Sequence, residues 1–162
     1  MRSLILISAL VAGSLLAVNA NAQPVEAHIE TGRGFSVNST NTSDTVPIGM
    51  GRALVNVHSW GLFSTDDPVS RFNNSHYDCY GTYLIDEAGD SPDGRGYCTG
   101  VAVSGDVWWI RWDGDRSGGD WSLVGGTGAF EHITGGGQWS NQAGFAPTES
   151  ITVWEGTWEW RE

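Results

Sequence analysis

The chain has 162 residues, a formal net charge of −11, nine tryptophans, 23 glycines and no lysine. That length suits one domain with a core of its own. The acidic balance repels nucleic acid and anionic lipid, so neither nucleic acid nor a membrane is an expected partner.

Residues 1–22 read as a signal peptide. Arg2 is followed by an apolar run from Leu4 to Val18, broken by Ser8, Gly13 and Ser14, and then by Ala20-Asn21-Ala22. Cleavage is expected before Gln23, leaving a domain of residues 23–162 that is secreted or periplasmic. The run is short for a membrane span. Loss of Arg2 takes the net charge to −12. In a eukaryotic secretory route, Asn38-Ser39-Thr40, Asn41-Thr42-Ser43 and Asn73-Asn74-Ser75 would be glycosylation candidates.

The mature region reads as a series of short strands. Val25 to Val37 holds the first, and the Ser/Thr/Asn-rich stretch Asn38 to Pro47 reads as a loop. Met50 to Leu62 alternates, with Arg52, Leu54, Asn56, His58 and Trp60 on one face. Ser75 to Ile85 places Tyr77, Cys79, Gly81 and Tyr83 on one face and Asp78 and Tyr80 on the other. The acidic loop Asp86 to Gly96 leads to strands at Tyr97–Val103 and Val107–Trp112. Further strands are expected at Trp121–Val124, Gln138–Ser140 and Ile151–Trp160. No segment has sustained helical periodicity. Short strands divided by turn signals indicate a sandwich or a barrel. Glycines beside large aromatics favour the barrel, because a narrow barrel alternates small and large residues. The expected fold is all-β: a single antiparallel eight-stranded barrel with a short plug.

Cys79 and Cys98 make one expected disulfide in an oxidising compartment, facing each other across a hairpin. If the bridge lies on the outer surface, Asp78, Tyr80, Tyr97 and Thr99 point inward. His58 shares a face with Arg52 and Asn56. Trp108 and Trp109 are adjacent, so only one can face inward; choosing Trp109 brings Arg111 with it. This parity defines a candidate site in the cavity. His58, Asp78, Tyr80 and Arg111 form its catalytic set, and Arg52, Asn56, Tyr97 and Trp109 its substrate-binding set. An imidazole suits proton transfer near neutrality, and phenols and a guanidinium supply donors. Trp154, Trp158 and Trp160 form a stripe on one face of the last strand, either packed in a core or stacked on a ring.

No metal and no cofactor is expected. Asp113-Gly114-Asp115 opens like a calcium loop, but Val124 stands where that loop needs glutamate. Asp86, Glu87, Asp90 and Asp93 read as a solvated acidic turn. The four histidines lack zinc spacing, and no Gly-x-Ser-x-Gly elbow is present.

The most distinctive stretch is Gly125-Gly126-Thr127-Gly128-Ala129-Phe130-Glu131-His132-Ile133-Thr134-Gly135-Gly136-Gly137. Phe130 and Ile133 lie three apart between glycine clusters, as in one tight helical turn aimed into a core. The stretch resembles the Gly-x-Gly-x-Phe/Tyr-x-x-Ile/Ala-x-Gly signature late in dirigent-like and allene-oxide-cyclase-like barrel proteins. That resemblance implies an eight-stranded antiparallel barrel with an internal cavity. It also implies a protein that steers cyclisation or coupling of reactive hydrophobic small molecules. The expected function is therefore a secreted cavity protein for isomerisation, cyclisation or elimination of a hydrophobic, ring-containing compound. Such reactions need shape and proton-transfer groups rather than a redox cofactor. The alternative is a non-catalytic binding module for an aromatic compound or glycan, using exposed tryptophans. A homo-oligomer is compatible with either.

Overall fold

The computed structural model describes residues 27–142 and 148–161; the expected signal peptide, residues 1–22, lies outside them. Eight strands follow in chain order: β1 (Ala27–Gly49), β2 (Arg52–Thr65), β3 (Ser75–Ile85), β4 (Asp93–Val101), β5 (Val107–Gly114), β6 (Gly118–Gly126), β7 (Thr134–Asn141) and β8 (Glu149–Arg161). Each pairs antiparallel with the next, and β1 pairs β8 to close the barrel. Closure removes the free strand edges that would otherwise template association. Among the described residues, no helix is long and apolar enough to cross a membrane.

The side chains alternate as the pleat requires. In β4 every second residue from Gly94 to Gly100 is buried, and Arg95, Tyr97 and Thr99 between them are exposed. The inner face of β5 carries Trp108, Ile110 and Trp112, which are 4%, 5% and 6% exposed. Glycines on the facing strands make room for these rings. A Cβ at Gly100 would lie 2.0 Å from the Trp108 ring, and one at Gly81 would lie 2.2 Å from Trp112. The pairing of small with large residues therefore fills a barrel too narrow for large side chains on every strand.

One end is closed. The connection between β6 and β7 contains a single 3-10 turn, Gly128–Phe130. Phe130 is fully buried and Ile133 is 3% exposed, so the expected plug is present. Phe72, from the β2–β3 connection at the same end, meets Phe130 at 5.1 Å, Trp158 at 5.2 Å and Trp160 at 5.7 Å between ring centroids. The Trp158 and Trp160 indoles both donate to Glu30 Oε2, at 2.9 and 3.3 Å. The tryptophan stripe of β8 thus faces the core and is no surface platform.

β1 departs most from expectation. It continues through Asn38–Pro47, expected to be a loop, and pairs with β2 through two register shifts. The turn that follows lies at Gly49–Gly51, where φ is positive at three successive residues, Met50 included. Met50 therefore sits in the turn rather than on a strand.

Candidate functional site

Cys79 and Cys98 are bonded and stand directly opposite each other on β3 and β4. The bridge lies inside the barrel: Cys98 is 2% exposed and belongs to the core. This corrects the expected outward bridge and reverses the parity derived from it. His58, Asp78, Tyr80, Tyr97, Trp109, Arg111, Arg52 and Asn56 consequently lie on the outer wall, away from the cavity. The physical reason is visible on β5. Its alternative parity, Trp108-Ile110-Trp112, is wholly apolar and claims the interior, leaving Arg111 and Asp113 to solvent.

Part of that outer set does come together. His58 Nε2 and Asp78 Oδ1 are 2.9 Å apart. The His58 ring stacks on Tyr80 at 4.3 Å with a 5° interplanar angle. Tyr80 stands opposite Tyr97, and Tyr97 opposite Arg111, which puts Arg111 two strands from Asp78. Tyr80 and Tyr97 are 60% and 61% exposed. Asn56 Oδ1 accepts from the Thr82 hydroxyl at 2.8 Å. Arg52 sits at the start of β2.

A concave site lies at the end opposite the plug, which is open among the described residues. A pocket of about 380 Å³ is lined by residues of β1, β2, β3, β5, β7 and β8, with Arg116 from the β5–β6 turn. Rings form its wall in sequence. Tyr83 meets Trp112 at 5.4 Å, Trp112 meets Trp139 at 5.8 Å, and Trp139 meets Trp154 at 6.3 Å. Between the rings stand neutral polar side chains. Asn38 and Thr40 come from the very stretch whose polarity suggested a loop. Thr40 and Ser59 hydroxyls are 3.1 Å apart across β1 and β2. The Trp154 indole donates to Ser36 Oγ at 2.9 Å. The sequence signal that marks Asn38 and Thr40 is their shared parity with Ser36. Asn38 is 7% exposed inside the barrel, so its sequon is not a surface site.

A second hydrogen-bond chain runs from the pocket to its rim. Asn141 Nδ2 donates to the Arg116 carbonyl at 2.9 Å, which aims its Oδ1 at Thr152. The Thr152 hydroxyl donates to that oxygen at 2.6 Å and accepts from Asn38 Nδ2 at 2.7 Å. The direction of every bond is set by the Asn141 amide.

Two phenols line the pocket and both stay neutral. Burial holds the Tyr77 phenol well above its usual range, with a Ser36 hydrogen bond opposing in part. Burial pushes the Tyr83 phenol up to about 12; the Arg116 guanidinium opposes the rise and Asp115 adds to it. The lining holds no carboxylate and no imidazole among the described residues.

Neither acidic loop is arranged around a metal: among the described residues no three His, Cys, Asp or Glu side chains could hold one. Asp115 Oδ1 accepts from the Ser117 hydroxyl and backbone and from Gly118, which lowers its pKa. Asp86 Oδ1 accepts from the Ala88 and Asp90 backbones.

No family model matches the sequence, and no curated protein does. Solved structures do match. One pterocarpan synthase dirigent protein superposes with a TM-score of 0.55 at 15% identity, covering 86% of this chain and 89% of that one. A second pterocarpan synthase dirigent protein gives 0.53 at 14% identity, covering 84% and 96%. At such identities the likeness is one of fold, and in fold this chain is a dirigent-like eight-stranded barrel.

Proposed function

We propose that this barrel is a secreted protein that takes a hydrophobic, ring-containing small molecule into its open end and steers its isomerisation, cyclisation or elimination. The observation that carries the reading is the 380 Å³ pocket, walled by Tyr83, Trp112, Trp139 and Trp154 at the end opposite the plug. Aromatic walls around a few fixed polar groups are the usual make-up of a small-molecule site. The name of the structural neighbours, pterocarpan synthase, points the same way. The disulfide supports an oxidising compartment.

The chemistry open to such a pocket is positional. Rings hold a flat substrate in one orientation, which removes rotational freedom before reaction. The Tyr83 phenol keeps its proton at neutral pH and serves as a donor, not a base. Arg116 at the rim can stabilise charge that develops on an oxygen.

A second reading keeps proton transfer at His58 with Asp78, Tyr80 and Arg111, acting on the outer wall. The 2.9 Å His58–Asp78 contact favours it. One experiment separates the two. The natural ligand is recovered from purified secreted protein by native mass spectrometry, and turnover is measured on it. Ser59→Leu fills the pocket and should lower turnover by about a hundredfold, the cost of a displaced substrate. His58→Ala should leave it unchanged. The reverse pattern moves the site to the outer wall, and a ligand returned unaltered makes the protein a binding module.

A further inference from the structure

The pocket contains two buried polar atoms that the protein itself does not satisfy. Asn38 Oδ1 has no hydrogen-bond partner, and neither has Trp139 Nε1. Both residues line the open-end pocket. Both are 7% exposed. An orphaned buried donor or acceptor costs about 1–3 kcal/mol, so two in one pocket call for an explanation.

Neither orphan can be removed by turning a side chain. An indole nitrogen only donates. The Asn38 amide is held by the chain described above. Thr152 spends its proton on Asn141 Oδ1, so it must accept from Asn38, and Asn38 must offer it the NH2 group. Asn141 cannot flip in compensation without losing its bond to the Arg116 carbonyl. The network therefore fixes one free acceptor and one free donor in the same pocket.

We infer that these two atoms select the ligand: an uncharged ring compound that donates a hydrogen bond to Asn38 Oδ1 and accepts one from Trp139 Nε1. This rests on the pocket being the ligand site. The preference for a neutral group at these two atoms follows from the groups themselves, since a charge set against two buried neutral dipoles is uncompensated there; Arg116, the charged side chain of the lining, stands at the rim and not between them. Selectivity follows from pairing. A purely apolar ring leaves both atoms without a partner, whereas a hydroxylated ring supplies one. Asn38 and Trp139 are thus specificity-determining residues.

The test uses naphthalene, methoxynaphthalene and naphthol, which bring no hydrogen-bonding group, an acceptor alone, and a donor with an acceptor. Binding to the full mature protein is measured by calorimetry. The expected order is naphthol, methoxynaphthalene, naphthalene, with roughly tenfold between the extremes, the worth of one or two net hydrogen bonds. Trp139→Phe keeps a ring and should erase the advantage of methoxynaphthalene over naphthalene. Asn38→Leu should erase that of naphthol over methoxynaphthalene. Equal affinity for all three probes in the wild-type protein overturns the inference even if a variant fails to fold, and leaves the pocket standing as an apolar site. Binding by none of them, or binding that Ser59→Leu leaves unchanged, overturns the pocket as the ligand site as well.

Discussion

Tyr83 shows how one residue reports on the whole pocket. Its phenol is pushed from 10.0 to about 12 because ionising it would place a charge among Trp112 and its neighbours. The folded protein therefore keeps this proton where the unfolded chain has lost it. Stability from Tyr83 is whole below pH 10 and is lost as pH rises through about 12. Tyr77 adds in the same direction. A titration that follows phenolate absorbance and circular dichroism together should show these two phenols ionising only as the barrel unfolds. Tyr83→Phe should move that alkaline transition upward. Ionisation of all four tyrosines with the barrel still folded would contradict the burial described here.

At the scale of elements, the β3–β4 hairpin carries the disulfide between residues 19 apart in sequence. Closing a loop of that length stabilises by about 3 kcal/mol in the chain-entropy account. Equilibrium unfolding under oxidising and reducing conditions should differ by about that much, and coincident midpoints would refute the contribution. The same hairpin shows what sequence reading could and could not reach. The bounds of β3 and the existence of the plug were legible, because Ser75 to Ile85 alternates cleanly and Phe130 and Ile133 stand between glycine clusters. Which face of β3 looks inward was not, because period two is symmetric and a disulfide can sit on either side. The decisive clue lay one strand away, in Trp108-Ile110-Trp112 against Trp109-Arg111-Asp113. Cys98 stands opposite Ile110, so the apolar parity of β5 places Cys98 inside as well. β1 failed for another reason. A strand that lines a polar pocket shows Ser36, Asn38 and Thr40 on its inner face, the composition of a loop. The pocket was hidden in sequence because its polarity runs against the rule that the inner face is apolar.

For the whole molecule, the consequence is a barrel with two unlike ends. The plug, Phe72 and the Trp158–Trp160 pair make one end solid, while the described residues at the other leave a mouth between rings and neutral polar groups. The proposed function belongs to the mouth, and the cluster around His58 faces outward. The most direct measurement is a crystal structure of the mature protein grown with naphthol. The account predicts the ring against Trp112 and Trp139, with its hydroxyl within hydrogen-bond distance of Asn38 Oδ1 or Trp139 Nε1. Naphthol bound instead against His58 and Tyr80 on the outer wall, with the mouth empty, would contradict it.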